Sequence, residues 1–162
     1  MILAPRRLER LEEIARLFET KRVGFVKKSQ LGAETSPAAS AILLDTMGEL
    51  SETYSIADVV YVGKSLFAPG GGHSLIEPAA HGKVVLHGPY MEYNQEAANE
   101  LGKHGVAICV KDKQELETAI RGLLTDKTLR NKMEQTAKNL MESKKGATQR
   151  MVDIILQKLD EK

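Results

Sequence analysis

The chain has 162 residues, 42% of them apolar and 28% charged, a soluble balance that supplies one domain-sized core and argues against disorder. A formal net charge of +1, 4% aromatics and no tryptophan give neither an electrostatic nor a stacking basis for a nucleic-acid partner. No apolar run approaches the ~20 residues of a spanning helix, and the single cysteine, Cys109 in VAICV, excludes an internal disulfide and reads as a small buried hydrophobe in a reducing compartment.

In chain order, apolar runs predict strands at ILA (2–4), RVGFV (22–26), AILLD (41–45), VVYVG (59–63), KVVLHG (83–88) and VAICV (106–110). Amphipathic patterns predict helices at about 6–20, 46–56, 74–81, 93–103 and 112–124. Strands apolar on both faces and alternating with helices imply an α/β fold: a Rossmann-like parallel sheet covered by helices on both sides. Lys28–Ser40, with Gly32, Ser36 and Pro37, reads as the one long loop. After Val110 the strands stop, and helices follow at 112–124, 126–143 and 147–160, with Asp112 and Asp126 as N-caps. In the last helix Met151, Ile155 and Leu159 recur at i, i+4 and i+8 beside Ile154, a stripe that requires a packing partner.

Residues 1–28 carry eight basic side chains against four acidic ones. That excess suits a solvated helix face, with peripheral contact to anionic lipid as the functional counterpart.

In an open parallel sheet, ligands meet the loops that leave the C-terminal ends of the strands. Four such loops carry chemistry. Arg6, just past the first strand, offers a guanidinium to a phosphate or carboxylate. In DTMGEL (45–50), Gly48 lets a ligand approach the backbone beside the amide of Met47, while Thr46 and Glu49 have the spacing of a capping box. In APGGGHSLIEPAAHGK (68–83), the glycines predict amides converging on an anion, and Glu77 is placed to accept ribose hydroxyls. Ser74 and Glu77 also have capping-box spacing. The fourth loop, His87-Gly88-Pro89-Tyr90 with Asn94 beyond it, supplies a rigid wall. His73 and His87 are candidate ligand contacts, whereas His81 and His104 read as surface. The histidines lack metal-ligand spacing, so no metal is expected. Neither a dinucleotide nor a P-loop fingerprint is present, and the residues alone point to a nucleotide or sugar-phosphate site.

The segments APRRLER, LLDTMGEL, ADVVYVGKSLFAPGGGHSLIEPAAHGK and GPYMEYN, in this order and spacing, resemble the C-terminal domain of 3-deoxy-D-manno-octulosonic acid (Kdo) transferases, enzymes of GT-B architecture in lipopolysaccharide inner-core synthesis. The resemblance runs from about residue 3 to residue 150. It implies a metal-independent, inverting glycosyltransferase that moves Kdo from CMP-Kdo to lipid A precursor at the cytoplasmic face of the bacterial inner membrane, with no cofactor. By that resemblance Arg6 meets the phosphate of CMP-Kdo, and Met47, Gly48 and Glu49 line the nucleotide. Gly71, Gly72, His73 and Ser74 form the loop beneath the phosphate, Glu77 holds the ribose hydroxyls, and Asn94 belongs to the Gly-Pro wall, displaced by one position.

Three positions depart from the family pattern: Arg7 stands where His is usual, Ser74 where Asn is usual, and Tyr93-Asn94-Gln95 replaces an Asn-Phe pair. The resemblance further implies that residues 1–162 are the donor-binding domain without its first strand and without the N-terminal acceptor domain, which carries the catalytic base. The catalytic base is therefore expected outside this chain. On that expectation the strands at ILA and VVYVG flank an empty central slot, and the chain alone is inactive in transfer and marginally stable or self-associating. The alternatives are another GT-B nucleotide-sugar enzyme, a UDP-sugar transferase or an epimerase, and a non-catalytic nucleotide-binding module.

Overall fold

The computed structural model describes residues 1–32 and 39–160. They form parallel sheets flanked by helices, divided into two compact units, Met1–Glu52 and Thr53–Lys162. The middle of the expected long loop lies outside the described residues.

The first unit holds β1 (Ile2–Leu3), a 3₁₀ turn (Leu8–Arg10), α1 (Leu11–Thr20), β2 (Phe25–Lys27), a second 3₁₀ turn (Lys28–Gln30) and β3 (Ala41–Leu43). Its three-stranded sheet is parallel in the order β1–β3–β2, with Ile2 and Val26 both in register with Ile42. α1 buries Ala15 and Phe18, three residues apart on one face, and the Phe18 ring meets Phe25 at 5.3 Å. Its solvent side carries the Arg10–Glu13 pair, and Glu12 pairs with Lys27 of β2.

α2 (Leu50–Ile56) runs across the boundary into the second unit. There follow β4 (Val59–Val62), α3 (Ile76–Ala80), β5 (Val84–His87), α4 (Gln95–Lys103), β6 (Ala107–Cys109), α5 (Lys113–Thr125), α6 (Lys127–Ser143) and α7 (Ala147–Asp160). The sheet is parallel in the order β4–β5–β6. Every residue of β5 is buried, because strand alternation sends Val85 to one core and Val84 and Leu86 to the other. Leu75, Ala79 and Leu101 cover the first face, and Leu123 of α5 the second. α6 serves both, with Met133 in one cluster and Ala137 and Leu140 in the other. Asp112 accepts from the amides of Gln114 and Glu115, and Asp126 from that of Leu129, so both predicted N-caps form.

Several expectations change. The single sheet is resolved into two three-stranded sheets in which β1 and β4 are edge strands. The helix expected from residue 46 starts at Leu50, since Gly48 takes a left-handed φ of 86°. The helix expected from residue 74 starts at Ile76, with Leu75 at its N-cap and no capping side chain among the described residues, so the Ser74–Glu77 capping box is not made. Cys109 is exposed, because it ends the edge strand β6; partial burial still raises its thiol above the ordinary value. The α7 stripe of Met151, Ile154, Ile155 and Leu159 is exposed as well.

Candidate functional site

In the second unit two strand-end loops are stitched together. The fully buried Ser65, just beyond β4, donates to the Val62 carbonyl at 2.6 Å and accepts from the Gly88 amide at 2.8 Å. The Ser65 carbonyl accepts from the Tyr90 amide at 2.9 Å. A Cβ on Gly88 would collide with the Ser65 carbonyl group, so only glycine fits where the two loops touch. Nothing in the sequence around Ser65 signalled this role, since its partner lies 23 residues away.

The three glycines are explained by the same contact. A Cβ at Gly70 would strike the Tyr90 side chain, one at Gly71 would lie 2.6 Å from two carbons of the Tyr93 ring, and one at Gly72 would strike Met91 Sδ. The Gly71 amide donates to the Tyr90 carbonyl at 3.2 Å and the Gly72 amide to the Lys64 carbonyl at 2.9 Å. The expectation that these amides converge on an anion is therefore corrected: their hydrogen bonds close the loop itself. Asn94 is brought to the same place, its side-chain amide donating to the Gly72 carbonyl at 3.2 Å.

Around this scaffold His73 and Ser74 are half-buried, and Glu77 is exposed in the first turn of α3. Tyr54, ring to ring with His81 at 5.9 Å, has its phenol pushed up, by burial first and then by the charge of Glu77. His87 is only 6% exposed and its Nδ1 lies 2.7 Å from the Gly88 carbonyl, which corrects its reading as a ligand contact: it braces the Gly-Pro turn. His104 sits on the surface beside Glu100, as expected.

The first unit carries the remaining candidates. Arg6 follows β1 and the segment from Asp45 to Glu49 follows the neighbouring parallel strand β3, so both leave the C-terminal edge of one sheet. Met47 is 78% exposed, and among the described residues no atom lies within 4 Å of the Cβ position of Gly48. Thr46 donates to the Glu49 carboxylate, which also faces Lys28 at 3.7 Å. Asp45 accepts from the Ser29 hydroxyl at 2.6 Å and its amide at 2.9 Å, and these bonds hold its carboxyl below the usual range. Among the described residues no cluster of three or more His, Cys, Asp or Glu is arranged to hold a metal ion, and no helix is long and apolar enough to cross a membrane.

Residues 27–140 match the family model described as glycosyl transferases group 1. The 3-deoxy-D-manno-octulosonic acid transferase of Bordetella pertussis is 32% identical over 156 residues, covering 96% of this chain and 36% of that protein. A bifunctional glycosyltransferase/methyltransferase of Fusobacterium nucleatum is 34% identical over 128 residues, covering 78% of this chain and 20% of that protein. The chain thus spans about a third or less of the length of these relatives. Among solved structures, the C-terminal CMP-Kdo binding domain of WaaA from Acinetobacter baumannii superposes with a TM-score of 0.80 at 25% identity, covering 86% of this chain and 72% of that one.

Proposed function

The chain belongs to the glycosyl transferases group 1 family, and from that premise we propose that it is the donor-binding part of a Kdo transferase, taking CMP-Kdo as its nucleotide sugar. The observation that carries this reading is the superposition on a CMP-Kdo binding domain over 86% of the chain. The reaction would transfer Kdo to a lipid A precursor at the cytoplasmic face of the inner membrane, a CMP leaving group departing as the acceptor hydroxyl attacks. The base that takes that hydroxyl's proton is assigned to no residue of this chain.

In the second unit Glu77 is the acceptor for the ribose hydroxyls, an exposed carboxylate that no cap interaction occupies. His73 and Ser74 extend from the same loop as further polar contacts, and Gly71, Gly72 and Asn94 fix its shape. Arg6, Met47, Gly48 and Glu49 keep the roles that the sequence resemblance gives them, Arg6 as the partner of the phosphate. No metal is required in this reading, and a chelator added to the titration checks that point.

An amide-resolved titration of the ¹⁵N-labelled chain tests the reading. CMP should shift the amides of Gly71, Gly72, Glu77 and Asn94, and that of Gly48, with UDP producing less. Equal or stronger shifts with UDP would turn the assignment toward a UDP-sugar enzyme, and no shifts with either would contradict a nucleotide site on this chain.

A further inference from the structure

Lys64, two residues past the end of β4, holds a left-handed backbone, with φ of 58°. An L side chain rarely adopts that conformation, which glycine takes freely, so the chain keeps a lysine where the backbone favours glycine. Its carbonyl is tied to the Gly72 amide at 2.9 Å, which fixes the side chain's starting point at the glycine loop. Its ammonium lies 6.0 Å from the centre of the Tyr93 ring. Tyr93 is 81% exposed, yet its ring lies against Gly71 and its amide donates to the Gly71 carbonyl at 3.3 Å. Among the described residues no carboxylate pairs with Lys64.

A cation with no carboxylate partner among the described residues and an exposed aromatic ring are therefore both anchored on the loop that carries the candidate site. We propose that Lys64 binds an oxyanion of the donor, with Tyr93 as the positioning residue that holds the ammonium beside the Gly71–Gly72 turn. The inference rests on the donor-binding reading given above. The oxyanion is either the phosphate of the nucleotide or the carboxylate of the sugar acid, both of which a lysine ammonium recognises.

Lys64→Gly is the informative variant because it removes the ammonium and relieves the backbone at once. Calorimetric titrations with cytidine, CMP and CMP-Kdo on the wild type, Lys64→Gly, Lys64→Arg and Tyr93→Leu separate the outcomes. Lys64→Gly should melt no lower than the wild type, bind cytidine unchanged, and bind CMP-Kdo about tenfold more weakly, the loss of one charge-assisted contact. A matching loss with CMP assigns the phosphate, whereas a loss confined to CMP-Kdo assigns the carboxylate. Lys64→Arg should restore most of the affinity and Tyr93→Leu should weaken it less than Lys64→Gly. Wild-type affinity of Lys64→Gly for both CMP and CMP-Kdo overturns this inference and leaves the donor reading standing. A wild type that binds neither overturns the donor reading as well.

Discussion

Gly48 in the first unit meets no neighbour among the described residues and stands beside an exposed Met47, whereas Gly70, Gly71 and Gly72 in the second are roofed by Tyr90, Tyr93 and Met91. Both stretches follow a strand and both carry glycine where a ligand's backbone contact was expected. The physical causes differ. At Gly48 the glycine serves the left-handed φ; Gly71 and Gly72 hold a left-handed φ as well, and there, as at Gly70 and Gly88, glycine also serves the close approach of two loops. A glycine run at a strand end therefore reports that something comes close to the backbone, and that something is as readily another loop as a ligand.

Substitutions by alanine turn that contrast into stability differences. Gly88→Ala should be the most damaging, because its Cβ meets backbone atoms of Ser65 and Leu66 that a side-chain rotation cannot move. A loss of about 3 kcal/mol in denaturant unfolding of the second unit is expected. Ser65→Ala should cost about 2 kcal/mol, since it leaves the buried Gly88 amide without its acceptor. Gly48→Ala should cost only about 1 kcal/mol, the strain of a left-handed alanine with no neighbour to strike among the described residues. Equal losses for Gly88→Ala and Gly48→Ala would erase the distinction between a packed loop and an open one.

The smallest effect is pH-linked and belongs to the open region. The Asp45 carboxyl is held below its ordinary range by its bonds from Ser29, so its contribution is present above the usual carboxylate pKa and is lost as pH falls through the depressed one. Asp45→Asn should therefore lower the stability of the first unit at neutral pH and converge with the wild type in acid, which flattens the acid limb of the profile. An acid limb identical to that of the wild type would remove Asp45 from the account.

Much of the architecture was legible because it is local. The six strands follow from apolar runs, and Asp112 and Asp126 cap the helices that their positions predict. The errors arose where a distant partner decides. Ser74 and Glu77 have capping spacing, yet the helix begins two residues later, after a loop whose glycines are set by Tyr90, Met91 and Tyr93. The amides of Gly71 and Gly72 looked available for an anion and are bound to Tyr90 and Lys64 instead. The apolar run predicts a buried Cys109, and only the strand order shows that β6 lies at an edge. Asn94 is expected in the Gly-Pro wall, whereas its hydrogen bond to the Gly72 carbonyl, which ties it to the glycine loop, has no local signal in the sequence.

The central claim, that this chain binds the cytidine nucleotide of a sugar donor through Glu77, is tested most directly by calorimetric titration of CMP into the wild type and Glu77→Gln, with a thermal melt of each. Glu77 is exposed and makes no capping contact among the described residues, so Glu77→Gln should melt with the wild type while CMP affinity falls by about tenfold. No saturable CMP binding by the wild type, or unchanged affinity of Glu77→Gln, would contradict the account.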